Sequence, residues 1–327
     1  MMQPLNIKAL SPWADRLGRW PRGKRLLHTC PLASITANLV RTHMPAKILD
    51  GKAVAKRIKD KLATEFAALR TAGKVAKLVS FAVGVDDGTT SYRKSQKKQA
   101  EALGVDYAMV DLPADATRSV VVARLNELNA DKSVTGIILQ LPVPKHLNGE
   151  ELARMLAPAK NIEGMDEVNL GAIVMKRYLN LPCTAQAAVE LVLESGVDIA
   201  GLNAVVIGRS TIVGKPAALL LLDRNCTVTI CHSKSKDLKS IARSADILVT
   251  AIGTKAGMVT GDWIKPGAIV VDVGIIDIGE GKIRGDVDFD SASSVAGHIT
   301  PVPGGVGPVT TQMLYTNLLH AAKAPHA

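Results

Sequence analysis

The sequence predicts an α/β protein with parallel sheets, and three observations lead to that prediction. Apolar residues make up 47% of the 327 residues and aromatic residues only 3%, a mixture typical of strands buried under helices on both faces. From about residue 44 onward, short apolar runs alternate with segments of helical period, as in βαβ units. The run "VVIG" is followed by a loop of small residues and a helix, which is how a doubly wound nucleotide-binding sheet begins.

Two sets of alternating elements follow one another, in a chain long enough for two domains. In the first set, apolar spacing predicts helix, strand, helix, strand, helix, strand and helix over residues 51–70, 77–84, 87–105, 105–113, 117–130, 136–144 and 148–156. After an apolar segment at 181–196, the second set has strands at 203–208, 226–231, 246–253 and 267–275, with helices at 211–224 and 236–245. A final helix is predicted over residues 307–324.

Most of the net charge of +10 falls in the first 43 residues. Seven basic residues lie there: Lys8, Arg16, Arg19, Arg22, Lys24, Arg25 and Arg41. With Asp15 as its single acidic residue, this segment carries +6, which leaves +4 for the remaining 284 residues. No set of base-stacking aromatic residues accompanies the basic residues, so nucleic-acid binding is not expected.

Residues 1–43 are predicted to be a poorly ordered extension. A basic, acid-poor leader is typical of a mitochondrial transit peptide. The alternative is translated sequence upstream of the true start, because "MPAKILDGKAVAKRI" at Met44 begins with a strand-like run followed by a helix. We favour the second interpretation, which predicts a cytoplasmic protein, whereas the first would place the protein in mitochondria.

Composition also argues against a membrane, disulfide or metal protein. No apolar run reaches the ~18 residues that a membrane-spanning helix needs. The four cysteines are scattered without CxxC spacing, at Cys30, Cys183, Cys226 and Cys231. We therefore expect no disulfide framework and no metal site, and a reducing compartment is the simpler interpretation.

The segment "VVIGRSTIVGKP" contains the clearest binding motif. A β-branched strand leads into a loop with Gly208, Ser210 and Gly214, and a helix follows, so small residues stand where a backbone would approach a pyrophosphate. The loop differs from a nucleoside-triphosphate loop, because five residues separate its glycines and Lys215 precedes Pro216. The motif indicates a variant dinucleotide fingerprint, and a simple tight turn is the alternative.

The residues after the next strand favour NADP over NAD. An NAD enzyme places an acidic residue there to bind the ribose, but this chain reads "HSKSKD". Ser233 and Lys234 can bind a 2′-phosphate, and Arg209 lies in the glycine loop itself. The alternative is a solvated charged turn. His232 and His298, each beside a strand, are interpreted as structural.

Several motifs together resemble one family. They are "GIILQLPVP", "KNIEGMDEVNLG", "LPCTAQAAVELVL", "GLNAVVIGRSTIVGKPAALLLL", "ADILVTAIG", "VVDVGI", "GDVDF" and "ITPVPGGVGPVTTQML". In this order they resemble the bifunctional methylenetetrahydrofolate dehydrogenase/methenyltetrahydrofolate cyclohydrolase family. The resemblance implies a catalytic folate-binding domain from residues 44–182 and 306–327, an NADP-binding Rossmann-like domain from residues 183–305, and an active site in the cleft between them. It also implies a homodimer, and a role in one-carbon metabolism that supplies purine biosynthesis.

The resemblance assigns the site residues by position. It implies catalytic roles for Tyr92, Gln96, Gln140 and Glu163, with Thr184 lining the cleft. The substrate-binding set is Tyr92, Gln140, Leu141, Pro142, Glu163, Pro303, Gly304 and Gly305. The cofactor-binding set is Gly208, Arg209, Ser210, Ile212, Ser233, Lys234, Ile275 and Thr310.

Two positions depart from the family pattern. The family has Tyr-x-x-x-Lys in the helix that contains Tyr92, but the fourth residue onward here is Gln96. The neighbouring basic residues, Arg93, Lys94, Lys97 and Lys98, are interpreted as a solvated face, because Lys97 lies ~100° further round the helix. The family's folate-binding aspartate corresponds to Glu163, which keeps a carboxylate able to accept hydrogen bonds from a pterin. Ala185 replaces the usual proline after "PCT".

These departures affect the two family reactions differently. Hydride transfer needs proximity and orientation, whereas hydrolysis of the methenyl group benefits from a titratable residue that Gln96 does not supply. The sequence therefore predicts NADP-dependent dehydrogenation of methylenetetrahydrofolate with weak or absent cyclohydrolase activity. The alternatives are a non-catalytic folate- and NADP-binding paralogue and an unrelated NADP dehydrogenase.

Overall fold

A computed structural model of the protein describes residues 45–324, so the predicted extension at residues 1–43 lies outside the described part. The strands are β1 (Lys47–Ile48), β2 (Lys77–Val83), β3 (Asp106–Leu112), β4 (Gly136–Leu139), β5 (Asn203–Ile207), β6 (Thr227–Cys231), β7 (Ile247–Thr250), β8 (Ile269–Asp272), β9 (Ile276–Asp277), β10 (Ile283–Arg284) and β11 (His298–Ile299). The helices are α1 (Gly51–Thr71), α2 (Asp87–Leu103), α3 (Arg118–Ala130), α4 (Gly149–Arg154), α5 (Glu167–Val174), α6 (Cys183–Glu194), α7 (Gly214–Asp223), α8 (Leu238–Arg243), α9 (Phe289–Ser293) and α10 (Val306–Lys323). None of these helices combines the length and the apolarity of a membrane span.

The smaller sheet has the order β3-β2-β4, and all its strands are parallel. After its first residue, Lys77, the central strand β2 is completely buried and is apolar except at Ser80. Side chains alternate between the two faces of a strand. Leu78 accordingly packs with residues of α1 and α10, whereas Phe81 packs with residues of α3. Ser80 shares the face of Leu78 and therefore lies on the side of the sheet that α1, α2 and α10 cover.

The larger sheet has the order β1-β11-β8-β7-β5-β6, again all parallel. Strands β7 and β8 are completely buried apolar runs, apart from Thr250 and Asp272 at their ends. Apolar residues of both faces pack against helices, which confirms the predicted α/β fold. Strand β1 belongs to this sheet although it lies within the residues 44–182 that were assigned to the other domain, because Ile48 pairs with Ile299 of β11.

Several elements differ from the sequence predictions. Helices α5 and α9 and the hairpin of β9 and β10 are not predicted. Helix α9 has only two apolar residues, α5 contains the poor helix formers Asn169 and Gly171, and each hairpin strand has two residues. Helix α7 begins at Gly214 and not at residue 211. The reason is local: the Ser210 hydroxyl oxygen accepts hydrogen bonds from the backbone N–H groups of Val213 and Gly214, so the preceding residues form a loop.

The last helix, α10, packs on α1 and α6 and holds the backbone of three other segments. The Asn317 amide donates hydrogen bonds to the carbonyl oxygens of Ile162 and Leu181, both at 2.8 Å. The Tyr315 hydroxyl, which is completely buried, donates to the carbonyl oxygen of Gln96 at 2.6 Å. One helix therefore fixes α2, the segment after β4 and the start of α6 relative to one another.

Candidate active site

A cleft of about 420 Å³ opens beside the start of α10. Of the predicted residues, it brings together Tyr92, Thr184, Ile275, Pro303, Gly304, Gly305 and Thr310. A smaller pocket of about 80 Å³ shares Tyr92, Thr184 and Thr310 with this cleft and adds Glu163 and Ile212. Residues from both predicted domains thus line one continuous concave surface, the usual form of a small-molecule site.

Tyr92 lies where the cleft and the smaller pocket meet. It is on α2, which begins after Asp86, whose carboxylate accepts the N–H of Thr89 at 2.6 Å. About half of the Tyr92 side chain is exposed, at 53%. Burial of its other part raises the pKa of the phenol, and the nearby Glu163 carboxylate raises it further. Tyr92 is therefore a neutral phenol at physiological pH, with a ring face available to a flat ligand.

Gln96 lies one helical turn after Tyr92 and is almost completely buried, at 2% exposure. Its side-chain Oε1 accepts two hydrogen bonds, from the Tyr107 hydroxyl and from Nε2 of Gln140, both at 3.1 Å. Gln140 Nε2 also donates to the Ser80 hydroxyl at 2.9 Å. Within residues 45–324, Nε2 of Gln96 has no hydrogen-bond partner. The two predicted glutamines thus form one buried network with Ser80 and Tyr107.

The prediction of a solvated basic face on α2 is wrong for one residue. Lys94, Lys97 and Lys98 are exposed as expected, but the Arg93 side chain is only 3% exposed. Its Nε donates to the Ser80 hydroxyl at 3.0 Å and its Nη2 to the Ser80 carbonyl at 3.2 Å. Its Nη1 lies 2.6 Å from a carboxylate oxygen of Asp111 on β3. Ser80, the one polar residue within β2, supplies the acceptors that allow this guanidinium to be buried.

Glu163 follows the segment that Asn317 holds, and its carboxylate faces the smaller pocket. No hydrogen bond or ion pair to it occurs among the described residues. Burial without a partner favours the protonated acid and raises the pKa of Glu163 to about 7. The thiol of Cys183 lines the same pocket, and its pKa is raised first by burial and then by Glu163. The pocket therefore contains a carboxyl group that titrates near neutral pH.

The glycine loop requires glycine at two positions. Gly208 has φ = 138°, and a Cβ there would lie 2.4 Å from the carbonyl oxygen of Ala251. A Cβ on Gly214 would lie 2.2 Å from the carbonyl oxygen of Gly208. The strand end, the loop and the start of α7 are therefore in direct backbone contact, and a side chain at either glycine would displace the loop.

The three residues predicted to bind a 2′-phosphate lie at the carboxyl ends of neighbouring strands. Arg209 follows β5, and Ser233 and Lys234 follow β6; all three are exposed. The two strand ends are joined by a hydrogen bond of 2.9 Å from the Gly208 N–H to the Cys231 carbonyl. His232 builds the turn after β6, since its Nδ1 accepts the Lys234 N–H at 3.1 Å.

Other residues differ from the prediction in their placement. Leu141 and Pro142 are exposed after β4 and are absent from the lining of the cleft and of the smaller pocket. Conversely, Lys52 and Asp272 line the cleft without having been predicted. Asp272 accepts the N–H groups of Gly274, Asp286 and Val287, and burial raises its pKa to about 6. Its position at the end of a buried parallel strand, in "VVDVGI", was the available signal.

Two family models match most of the chain. Residues 49–163 match the tetrahydrofolate dehydrogenase/cyclohydrolase catalytic domain, and residues 182–326 match the NAD(P)-binding domain of the same family. Bifunctional protein FolD 2 of Geobacter sulfurreducens is 43% identical over 278 residues, which cover 85% of this chain and 97% of that protein. Bifunctional protein FolD of Staphylococcus aureus is 44% identical over 280 residues, which cover 86% of this chain and 98% of that protein.

Solved structures show the same similarity. The bifunctional FolD methylenetetrahydrofolate dehydrogenase/cyclohydrolase of Campylobacter jejuni superposes with a TM-score of 0.81 at 38% identity, over 85% of this chain and 99% of that one. The Trypanosoma brucei methylenetetrahydrofolate dehydrogenase-cyclohydrolase, solved with NADP and an inhibitor, superposes with a TM-score of 0.79 at 38% identity, over 86% of this chain and 98% of that one.

Because the pKa of Glu163 is raised, we predict that the stability of the folded protein depends on pH. Its pKa rises from 4.5 to about 7 on folding, so the folded protein favours the protonated acid. The stability contributed by this group is present below pH 4.5 and is lost as the pH rises through 7. Glutamine stays neutral at every pH, so Glu163→Gln does not lose this stability as the pH rises. The free energy of unfolding of Glu163→Gln minus that of the wild type should therefore be larger at pH 8 than at pH 4.5, by about 3 kcal/mol.

Chemical denaturation of the ligand-free proteins at several pH values measures this difference. Met165→Leu alters another residue of the same pocket and keeps the carboxyl group, so it should follow the wild-type pH dependence. A constant difference between Glu163→Gln and the wild type across the pH range would show that Glu163 has an ordinary pKa.

Proposed function

This chain belongs to the tetrahydrofolate dehydrogenase/cyclohydrolase family, and we propose that it oxidises 5,10-methylenetetrahydrofolate to 5,10-methenyltetrahydrofolate with NADP. The observation that supports this proposal is the continuous cleft in which the half-exposed ring of Tyr92 and the carboxyl group of Glu163 meet the loop at Pro303–Gly305. In the reaction, a C–H bond of the folate methylene group breaks and its electron pair leaves with the hydrogen. The folate nitrogens stabilise the cation that remains.

The residues of the cleft would act mainly by binding and orientation. The Tyr92 ring stacks on the folate, and Glu163 in its ionised form accepts hydrogen bonds from the amino and ring N–H groups of the pterin. The pterin donors then supply the partners that this carboxylate lacks among the described residues. Hydride transfer requires no protein base, so correct positioning can provide much of the rate.

The cofactor-binding residues fit NADP at the start of α7. When bound, NADP supplies the hydride acceptor. The loop from Gly208 to the start of α7 at Gly214 can hold its pyrophosphate at the helix N-terminus, and the exposed side chains of Arg209, Ser233 and Lys234 can hold its 2′-phosphate. Ile212, Ile275 and Thr310 line the adjoining cleft. We assign NADP binding to residues 183–305 and folate binding to residues 44–182 and 306–327, except that strand β1 completes the cofactor sheet.

We propose that the cyclohydrolase reaction is weak or absent in this protein. Hydrolysis of the methenyl group requires attack by water and proton transfers. Gln96 occupies the position from which a titratable side chain would assist, and its amide is already bonded to Tyr107 and Gln140. An amide can donate and accept hydrogen bonds, but it does not exchange a proton at physiological pH. General acid–base help of this kind is typically worth ~10²–10⁴ in rate.

We also propose that the protein forms a homodimer, through a second copy on the edge of the larger sheet. Strand β6 is the edge strand, and its Ile230 is 42% exposed. Exposed apolar residues continue onto the adjacent helices, with Leu222 of α7 at 54% and Val174 of α5 at 64%. An unpaired strand beside an apolar surface favours pairing with another chain.

The first prediction from the proposed function concerns both activities. With methylenetetrahydrofolate and NADP, the purified protein should produce NADPH, detected by absorbance, and should hydrolyse methenyltetrahydrofolate slowly. Gln96→Lys should increase the hydrolysis by about 10²-fold, whereas Lys97→Gln, a change at an exposed position of the same helix, should not. An absence of NADPH together with tight folate and NADP binding would indicate the non-catalytic paralogue.

The second prediction concerns the choice of nucleotide. Lys234→Ala and Ser233→Ala each remove a contact that only the 2′-phosphate can use. The Kd for NADP should rise by about 10-fold for the lysine variant, which corresponds to ~1.4 kcal/mol, and the Kd for NAD should not change. Calorimetric titration measures both constants, and Lys236→Ala, at another exposed position of that turn, is the control. Equal weakening of NADP and NAD would contradict the assignment.

The third prediction concerns assembly. Ile230→Lys places a charge on the edge of β6, where a partner strand would pair, and should convert the dimer to a monomer in size-exclusion chromatography with light scattering. Ile278→Lys, at a similarly exposed isoleucine of the β9–β10 hairpin, should remain dimeric. A monomeric wild-type protein, or a dimeric Ile230→Lys variant, would exclude this interface.

A further inference from the structure

Arg93 is a buried, charged side chain beside the site, and the proposed reaction gives it no role. A guanidinium stays charged and only donates hydrogen bonds, so burying it is costly unless all its donors find acceptors. Each of the three Arg93 nitrogens has an acceptor: the hydroxyl oxygen of Ser80, its carbonyl oxygen, or the carboxylate of Asp111. Asp111 is itself 51% exposed, so the positive charge lies inside the fold and its counter-charge lies at the surface.

Arg93 is connected to the site residues through two side chains. Ser80 accepts at its hydroxyl oxygen from both Arg93 Nε and Gln140 Nε2, at 3.0 and 2.9 Å. Tyr107 also lies beside the guanidinium: burial raises the pKa of its phenol, while hydrogen bonding to Ser80 and the charge of Arg93 counteract this rise. Both paths end at Oε1 of Gln96, which accepts from Gln140 and Tyr107.

The direction of these hydrogen bonds determines how Gln96 is oriented. Because Tyr107 lies against a group that only donates, its own hydroxyl hydrogen is free to point away from Arg93, to Oε1 of Gln96. Two donors then occupy that oxygen, and Nε2 remains without a partner among the described residues. Tyr92, which lines the cleft, lies one helical turn before Gln96 on the same face of α2; burial and Glu163 raise the pKa of its phenol, and the Gln96 side chain partly counteracts this rise. The network therefore leaves the amide of Gln96 with N–H donors to offer.

We propose that Arg93 is a positioning residue: acting through Ser80, Gln140 and Tyr107, it holds the Gln96 amide with its N–H donors turned toward Tyr92 and the folate stacked on it. This inference rests on the proposed function. The uncharged Gln96 then offers the same hydrogen-bond polarity as an amine would, and the fixed positive charge lies at Arg93, three residues earlier in the same helix.

A double-mutant cycle tests the proposal. Arg93→Met keeps a long apolar side chain without donors, and Tyr107→Phe removes the other donor that, besides Gln140, holds Oε1 of Gln96. Arg93→Met should lower the kcat of NADP reduction by about 10- to 100-fold, with a smaller effect on KM for methylenetetrahydrofolate. In the Tyr107→Phe background the same change should cost markedly less, because residues that act through one another are non-additive. Lys97→Met, at an exposed position of α2, is the matched control.

Two further measurements separate positioning from a loss of folding. NADP affinity should be unchanged in Arg93→Met, because the cofactor loop lies on the other sheet. Arg93→Lys keeps the charge but not the planar fork, so it should recover only part of the lost kcat. Wild-type kcat in Arg93→Met, or equal costs of Arg93→Met with and without Tyr107, would overturn the proposal and leave the proposed function intact.

A wild-type protein without NADP reduction would instead contradict the proposed function. The affinity for tetrahydrofolate, measured by calorimetry, then decides on Arg93. Weaker binding in Arg93→Met, with a smaller effect when Tyr107→Phe is also present, supports positioning. Unchanged binding in Arg93→Met, or an absence of tetrahydrofolate binding by the wild type, overturns it.

Discussion

The site depends on the hydrogen bonds that α10 makes to carbonyl groups of distant segments. Gln96, Glu163 and Thr184 lie on three separate segments, and each is at most three residues from a carbonyl that Tyr315 or Asn317 binds. A buried carbonyl without a partner costs about 1–3 kcal/mol. Those segments are therefore held in register with one another by the last helix of the chain, although two sheets contribute to the cleft. This explains how residues far apart in sequence can be positioned around one small ligand.

Two ionisable groups near the cleft respond to burial in opposite ways. Arg93 remains charged, since three acceptor groups surround its guanidinium. Glu163 has no such partners, and its pKa moves to about 7. The Arg93 guanidinium has its acceptors without a ligand and therefore contributes rigidity. The Glu163 carboxyl group has no partner among the described residues, so a ligand with N–H donors would stabilise its ionised form, and the affinity for such a ligand would depend on pH.

The fold was largely predictable from the sequence because its signals are local. Buried strands such as 203–208 and 246–253 are continuous apolar runs, and the glycine loop is recognisable from three small residues at fixed spacing. Helix α9 was not predictable in this way, since only Phe289 and Ala292 of its five residues are apolar, and in α5 the poor helix formers Asn169 and Gly171 weaken the helical signal. The pairing of β1 with β11 was not predictable either, because it joins residues 251 positions apart, such as Ile48 and Ile299, through backbone groups that every sequence shares.

The sequence predicted those residues of the candidate site that belong to recognisable motifs. Tyr92, Glu163 and the Pro303–Gly305 loop could be identified from motifs, and they line the cleft. The burial of Arg93 could not be inferred, because a helical arginine beside three lysines looks solvated unless its acceptors are known. Those acceptors come from β2 and β3, and only the fold brings them to α2. Ser80, a lone polar residue in an apolar strand, was the one sequence signal of this network.

The arrangement around Gln96 separates the requirements of the two family reactions. Hydride transfer depends on the distance and angle between two flat groups, and a rigid network of fixed polarity serves that purpose without exchanging a proton. Hydrolysis depends on a group that changes its protonation state during the reaction. Arg93 cannot do so, because a guanidinium stays charged, and the amides of Gln96 and Gln140 do not titrate. Glu163 does titrate near neutral pH, but under the proposed function it is engaged by the pterin. The hydrogen bonds around Gln96 therefore fit the proposed dehydrogenation and supply no proton carrier of their own for the hydrolytic step.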